Sequence, residues 1–277
     1  LKKEWDSRGE QPFAPTYELQ IIIMSQLQRI AIAPSQLQQG QILLTPEQQH
    51  YLLRVLRLRE GDRFIAMDGQ GKWWLTQLAG EQGQVLESLL VQTELPVSIT
   101  LMMALPKGNG FDEVVRTCTE LGVTTIAPVL SDRTLLHPSP QKLERWRRIA
   151  AEAAEQSERS FVPIILEPVA FNTGLSLVIS HLSLVNSQKY ICEARGDYPH
   201  LLNYLNKQQT VNNSSAEWSR KQKTVVIATG PEGGWTPIEV ENAIASGFQP
   251  VSLGRRILRA VTAPIFALSL ITAAYEV

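Results

Sequence analysis

From Met24 to about Glu94 the apolar positions fall in short runs punctuated by glycine. Arg63 to Met67, Lys72 to Leu78 and Gln84 to Val91 read as strands, separated by turns at Asp68-Gly69-Gln70-Gly71 and Gly80 to Gly83. One helix interrupts them. Thr45-Pro46-Glu47-Gln48 forms a capping box, and His50, Leu52, Leu53, Val55, Leu56 and Leu58 continue the helical spacing. The pattern predicts a small module of hairpins around one helix, bounded at Glu94-Leu95-Pro96.

Beyond Pro96 strands and helices alternate. Val97 to Leu105 reads as a strand, Phe111 to Leu121 as a helix closed by Gly122, Val123 to Leu130 as a strand, and Pro140 to Arg159 as a long helix with Ser139 as N-cap. Ile164 to Leu166, Lys189 to Glu193, Lys223 to Thr229 and Pro250 to Leu253 continue as strands, while the Gln-, Asn-, Ser- and Lys-rich stretch 207–222 reads as a surface loop. Such alternation predicts an α/β domain, a mainly parallel sheet with helices on both faces.

Composition narrows the class. Of 277 residues, 44% are hydrophobic and 19% charged, as in a soluble globular protein. A net charge of −1 excludes a globally basic nucleic-acid coat but leaves room for a local basic patch. Cys118 and Cys192 form no CxxC and have no histidine nearby, so neither a metal site nor a disulfide framework is expected, and the expected compartment is the reducing cytoplasm. The apolar, uncharged stretch Ala260 to Tyr275 is 16 residues, short of the ~20 that span a bilayer; it reads as a buried helix, with no membrane association. Residues 1–23 mix charge, proline and glycine, and read as a poorly ordered N-terminal extension.

Two segments invite a ligand. After the β-branched run ending at Thr229 come Gly230, Pro231, Glu232, Gly233 and Gly234, and then a helix start in which Thr236 is N-cap, Pro237 takes the first position and Glu239 closes a capping box. Glycines let a ligand approach the backbone beside a helix N-terminus. Neither the Walker pattern nor the dinucleotide fingerprint is present, and Glu232 argues against phosphate; a cationic or hydroxyl-bearing ligand suits it better. A tight turn with no ligand also explains these glycines taken alone. A second unit, Val251-Ser252-Leu253-Gly254 followed by Arg255, Arg256 and Arg259 and an apolar helix, suggests one pocket lined by both turns at the carboxyl ends of the strands.

Covalent catalysis has little support: there is no G-x-S-x-G, and His50, His137, His181 and His200 lack triad or metal spacing. Arg54 and Arg57 share a helical face near Arg63 and Lys72, and Lys107 follows the first strand of the second domain. These cations fit RNA phosphates; ordinary surface residues are the competing reading.

The segments HYLLRVLRLREGD, ALPKGNGFDEVVRTCTELGV, SDRT, AEAAEQSERSFVP and GPEGGWTPIEVENAIASGFQPVSLGRRILRAVTAP closely resemble the bacterial small-subunit (16S) ribosomal RNA uridine-N3 methyltransferases (RsmE-like) of the SPOUT superfamily. The resemblance implies a PUA-like RNA-binding β-barrel over 24–95 and, over 96–277, a SPOUT methyltransferase domain whose end is tied in a trefoil knot. It further implies S-adenosylmethionine as cofactor, ribosomal RNA or the small ribosomal subunit as partner, a homodimer completing the active site, and no metal, because the methyl group is already activated. On this footing Thr229, Gly230, Glu232, Gly233, Gly234, Ser252, Leu253, Gly254, Ile257, Leu258 and Thr262 are expected at the cofactor, Arg259 and Glu232 at the chemistry, and Arg54, Arg57 and Lys107 on the RNA.

Two departures stand out. Family members often read Arg-Thr-Glu-Thr-Ala where this chain has Arg259-Ala260-Val261-Thr262-Ala263, removing a carboxylate near the pocket, and they often carry a basic residue at Gly110. The first keeps open an alternative: a non-catalytic RNA-binding or ribosome-assembly factor that retains the fold.

Overall fold

The computed structural model describes residues 27–134, 138–181, 187–212 and 223–276. It divides into two compact units: the described residues up to Asp68 with Lys72–Leu90, and Gly69–Gly71 with the chain from Val91 onward.

In the first unit, β1 (Arg29–Ala31), β2 (Leu37–Gln38), β3 (Gln41–Leu43), β4 (Arg63–Met67), β5 (Trp73–Ala79) and β6 (Gln82–Leu89) form one sheet in the order β1-β4-β5-β6-β3-β2. β1 and β4 pair in parallel and the other pairs are antiparallel. Ile42, Leu52, Phe64, Trp74 and Leu78 fill its core. The capping box forms at α1 (Pro46–His50): Thr45 Oγ1 accepts from Gln48 N at 3.3 Å and Gln48 Oε1 accepts from Thr45 N at 2.9 Å. The expected continuation to Leu58 is corrected. The helix widens into a π turn over Tyr51–Val55, in which Leu56 N reaches Tyr51 O, and stops where Arg57 takes φ 58°. Leu58 N then bonds Leu52 O at 2.9 Å, closing the end as a left-handed cap does.

In the second unit, β7 (Val97–Ala104), β8 (Thr125–Leu130), β9 (Ile164–Ile165), β10 (Val169–Ala170), β11 (Ser187–Cys192), β12 (Lys223–Thr229) and β13 (Gln249–Val251) form a sheet in which each pair is parallel. The order is β10-β8-β7-β12-β11-β13, with β9 also on β8. Both faces are buried, as parallel sheets require. On β7, Ile99, Leu101 and Met103 enter one core with α2 (Gly110–Glu120), α3 (Pro140–Gln156), α5 (Leu201–Asn212) and α7 (Thr262–Tyr275). Met102 and Ala104 enter the other, with α4 (Phe171–His181) and α6 (Pro237–Ala245). The chain steps outward through β8 and β10 and resumes on the other side of β7, so the order reverses between β7 and β12. A crevice at the carboxyl ends of strands beside such a reversal is where open α/β sheets bind ligands.

Two further expectations need correction. α3 ends at Gln156 rather than Arg159: Glu158 takes φ 57°, and Arg159, 5% exposed, turns inward to donate to Thr119 O, Val123 O and the Glu94 carboxylate. The polar stretch expected as a loop is helical through Asn212, because α5 is anchored by Leu201 and Leu205, buried four residues apart. Residues 213–222 and the expected extension 1–23 lie outside the described residues. The sequence reading did not anticipate α4, whose Phe171, Leu175 and Val178 are buried at helical spacing.

Candidate functional site

The first glycine turn leaves β12 at Thr229, which is fully buried. Gly234 closes the turn by donating to Pro231 O at 2.9 Å, with φ 70° that a side chain would strain. Trp235 packs back over Gly230, where an added Cβ would stand 3.3 Å from the indole Nε1 and Cε2, and its ring meets Phe171 at 4.8 Å. The expected cap of α6 forms: Thr236 Oγ1 accepts from Glu239 N at 3.3 Å and Glu239 Oε2 accepts from Thr236 N at 2.7 Å.

Two neighbouring loops are tied to this turn. Lys107 N, after β7, donates to Glu232 Oε1 at 2.9 Å. Asp132 N, after β8, donates to Glu239 Oε1 at 2.9 Å, and Arg133 Nη1 donates to Gly233 O at 2.6 Å and Trp235 O at 3.2 Å. Glu239 is therefore cap and brace at once, which explains a carboxylate buried to 3% exposure.

The second turn follows β13. Ser252 N donates to Pro199 O and Ser252 O accepts from Leu201 N, fixing the strand end beside α5. Gly254, at φ 111°, donates to Ser252 Oγ at 3.0 Å. The chain then runs without regular structure to Arg259, whose carbonyl accepts from Thr262 N and Ala263 N to open α7.

Between the turns lies an open cleft, lined by residues from both of them. Of the expected cofactor residues, Gly230, Gly234, Leu253, Gly254 and Leu258 line it. Thr229 and Ser252 sit behind the lining at the strand ends. Glu232 and Gly233 are exposed on the outer side of the first turn, Ile257 is 74% exposed, and Thr262 and Arg259 are exposed at the start of α7. Arg54 and Arg57 lie in the first unit and Lys107 in the second; the helical face expected to carry both arginines does not form, since Arg54 sits in the π turn and Arg57 past its end at φ 58°.

Pro231 of the first turn and Arg256 of the expected cationic rim also line it, and the cleft has walls that sequence reasoning missed: Cys192 at the end of β11, Glu193 and Ala194 after it, and Trp235, Ala260 and Ala263. The half-buried Cys192 thiol is pushed above its ordinary pKa by desolvation and by the neighbouring Glu193 carboxylate. The β11 residues carry no local signal, since they join the site only because β11 pairs with both β12 and β13. The groups present suit a nucleoside-sized cation with an amino-acid end. Leu253, Leu258, Ala260 and Ala263 are apolar walls, the glycine backbones can be approached closely, and Glu193 and Arg256 offer one charge of each sign.

Among the described residues no helix is long and apolar enough to cross a membrane.

Residues 93–272 match the RNA methyltransferase domain family and residues 44–85 the RNA methyltransferase PUA domain. The chain is 48% identical over 251 residues to ribosomal RNA small subunit methyltransferase E of Synechocystis, covering 90% of this chain and 78% of that protein. It is 30% identical to the Bacillus subtilis enzyme of the same name, covering 83% and 88%. Among solved structures, methyltransferase E of Neisseria gonorrhoeae bound to S-adenosyl methionine superposes with TM-score 0.73 at 29% identity, covering 90% of this chain and 98% of that one. A Legionella pneumophila putative methyltransferase in complex with the same cofactor superposes with TM-score 0.72 at 26% identity, covering 90% and 98%. With a PUA-like domain ahead of a parallel α/β domain whose glycine turns form the cleft, the chain belongs to the ribosomal RNA small subunit methyltransferase E family of the SPOUT superfamily.

Proposed function

We propose that this protein uses S-adenosylmethionine to methylate N3 of a uridine in small-subunit ribosomal RNA. The observation that carries the reading is the cleft formed by the 230–235 and 252–263 segments at the carboxyl ends of β11, β12 and β13, in a chain 48% identical to a methyltransferase E. When bound, the cofactor supplies an activated methyl group. The protein must hold it, present the base and take away a proton.

Gly230, Gly234 and Gly254 would let the backbone approach the ligand, Leu253 and Leu258 would cover its apolar parts, and Glu193 and Arg256 would be the charged groups available to its polar ends. Thr229, Gly233, Ser252, Ile257 and Thr262 support or flank these groups. Uridine N3 is hidden in a base pair, so the substrate is a single-stranded or flipped-out base. Positioning supplies much of the rate, and Glu232 and Arg259, exposed near the two turns, are the candidates to receive the proton and to stabilise the developing charge. Arg54, Arg57 and Lys107 hold RNA phosphates.

The same reading carries a trefoil knot, a cytoplasmic location, a domain boundary near residue 95 and a homodimer. The knot is supported by the last strand: β13 lies outside β11, yet the following α7 packs against β12 and β7. The dimer is supported by α7, where Phe266 stays 36% exposed on a helix rich in apolar residues. Replacing Phe266 with Glu then yields a monomer that has lost methyl transfer; a folded, fully active monomer overturns the cross-subunit site.

A second reading, an RNA-binding assembly factor without catalysis, rests on Val261, an apolar residue packed against the core where family members often have a carboxylate. Methyl transfer from labelled cofactor to unmethylated small-subunit RNA or particles separates the two. Incorporation at uridine N3 supports the enzyme, and RNA binding without incorporation supports the assembly factor.

A further inference from the structure

Arg133, which ties the loop after β8 to the first glycine turn, also makes that turn's shortest described polar contact. Its Nη1 donates to two carbonyls of that turn, Gly233 O at 2.6 Å and Trp235 O at 3.2 Å. The aliphatic stem lies over the same peptide, since a Cβ on Gly233 would stand 3.1 Å from Arg133 Cδ.

The loop that carries it is itself fixed. Ser131 N donates to Thr134 Oγ1 at 3.1 Å, Arg133 N donates to Ser131 Oγ at 3.2 Å, and Asp132 N is held by Glu239. A guanidinium on a fixed base therefore grips the outer side of a segment whose inner side, at Gly230, Pro231, Gly234 and Trp235, lines the cleft. Glycines at 230, 233 and 234 give that segment more backbone freedom than other residues would, and freedom that must be lost on binding weakens binding. Charge-assisted bonds to the carbonyls on either side of Gly234 fix the flanking peptide planes in advance.

We propose that Arg133 is a positioning residue that sets the cofactor turn before ligand arrives, so that its loss is read in cofactor affinity rather than in the chemical step. The inference rests on the cofactor reading above, and its test separates the two. S-adenosylhomocysteine is titrated by calorimetry into the wild type, Arg133→Ala and Arg133→Lys. Amide hydrogen exchange over 231–236 is followed in the same proteins without ligand.

The expected result is a dissociation constant raised about tenfold in Arg133→Ala and less in Arg133→Lys, because lysine can still donate but not with a fixed planar fork. Exchange in the turn speeds up in the same order, and KM for the methyl donor rises while kcat at saturation holds. A merely structural arginine would shift thermal stability and leave exchange and affinity as in the wild type; that result overturns the proposal. If Arg133→Ala does not fold, Arg133→Lys carries the same comparison. If the folded wild type binds no S-adenosylhomocysteine, the cofactor reading and this proposal both fall.

Discussion

The carboxylate of Glu232 accepts the backbone N–H of Lys107 at 2.9 Å, joining residues 125 apart in sequence at the ends of two adjacent strands. β7 and β12 run in unbroken parallel register, Val97 opposite Lys223 through Met103 opposite Thr229, so the loops that follow them are brought together by the sheet. One carboxylate oxygen thus has a structural task, and under the proposed function the other receives the proton. Glu232→Gln keeps an oxygen to accept from Lys107 N but cannot take a proton. It is expected to bind S-adenosylhomocysteine as the wild type does while kcat falls by about 10²-fold or more, the usual contribution of a general base. Unchanged kcat in Glu232→Gln would leave Glu232 as a tie between the loops.

Gly110 and Val261 pack against each other. A Cβ on Gly110 would stand 2.7 Å from Val261 Cγ2, closer than real carbon atoms pack. Gly110→Ala at the first turn of α2 is expected to cost about 1–3 kcal/mol by overpacking, and Val261→Ala in the same chain to restore most of it. Urea unfolding of the two single variants and the double variant measures the coupling. Additive effects would show that the contact is relieved elsewhere.

Arg57 occupies the left-handed cap that ends the π turn, a conformation costing an L-residue about 1–2 kcal/mol that glycine avoids. Arg57→Gly should therefore raise thermal stability while weakening RNA binding and reducing the magnitude of its salt slope by about 1. The salt dependence of binding to a small-subunit RNA fragment checks it. Higher stability with unchanged affinity and slope would remove Arg57 from the RNA contacts.

What the sequence made legible was local. The caps at Thr45 and Thr236 and the strand over 223–229 form as the residue order implies, because their partners lie within one turn or one run. The second task of Glu239, holding Asp132 N, could not be read, since those residues are 107 apart and meet only through the strand order. For the same reason the turns were legible as parts of a pocket, but the β11 wall at Cys192 and Glu193 was not. The stretch 207–212 was misread because its polar composition masks a helix whose anchors, Leu201 and Leu205, precede it. Arg159 was misread for the opposite reason: a long charged side chain looks like helix surface, and only Glu94 and two carbonyl groups make its burial tolerable.

Burial raises the pKa of the Cys118 thiol above its ordinary value, and burial likewise pushes Tyr190 up to about 12. The folded state therefore holds these protons more tightly than the unfolded chain. The stability that the buried Cys118 thiol contributes is intact below the unfolded thiol pKa of about 8.5 and is lost as pH rises beyond it, by about 1.4 kcal/mol per pH unit. Unfolding free energy should decline from about pH 9 upward, and Cys118→Ala should show a shallower decline. Parallel pH profiles for the two proteins would contradict this.

Calorimetric titration of the folded full chain with S-adenosylhomocysteine tests the central claim most directly, because it needs neither RNA nor turnover. Saturable binding at one site per chain, weakened when Gly254 is replaced by a residue that resists φ 111°, is the predicted result. A folded protein that takes up no S-adenosylhomocysteine at any concentration would contradict the assignment of the cleft.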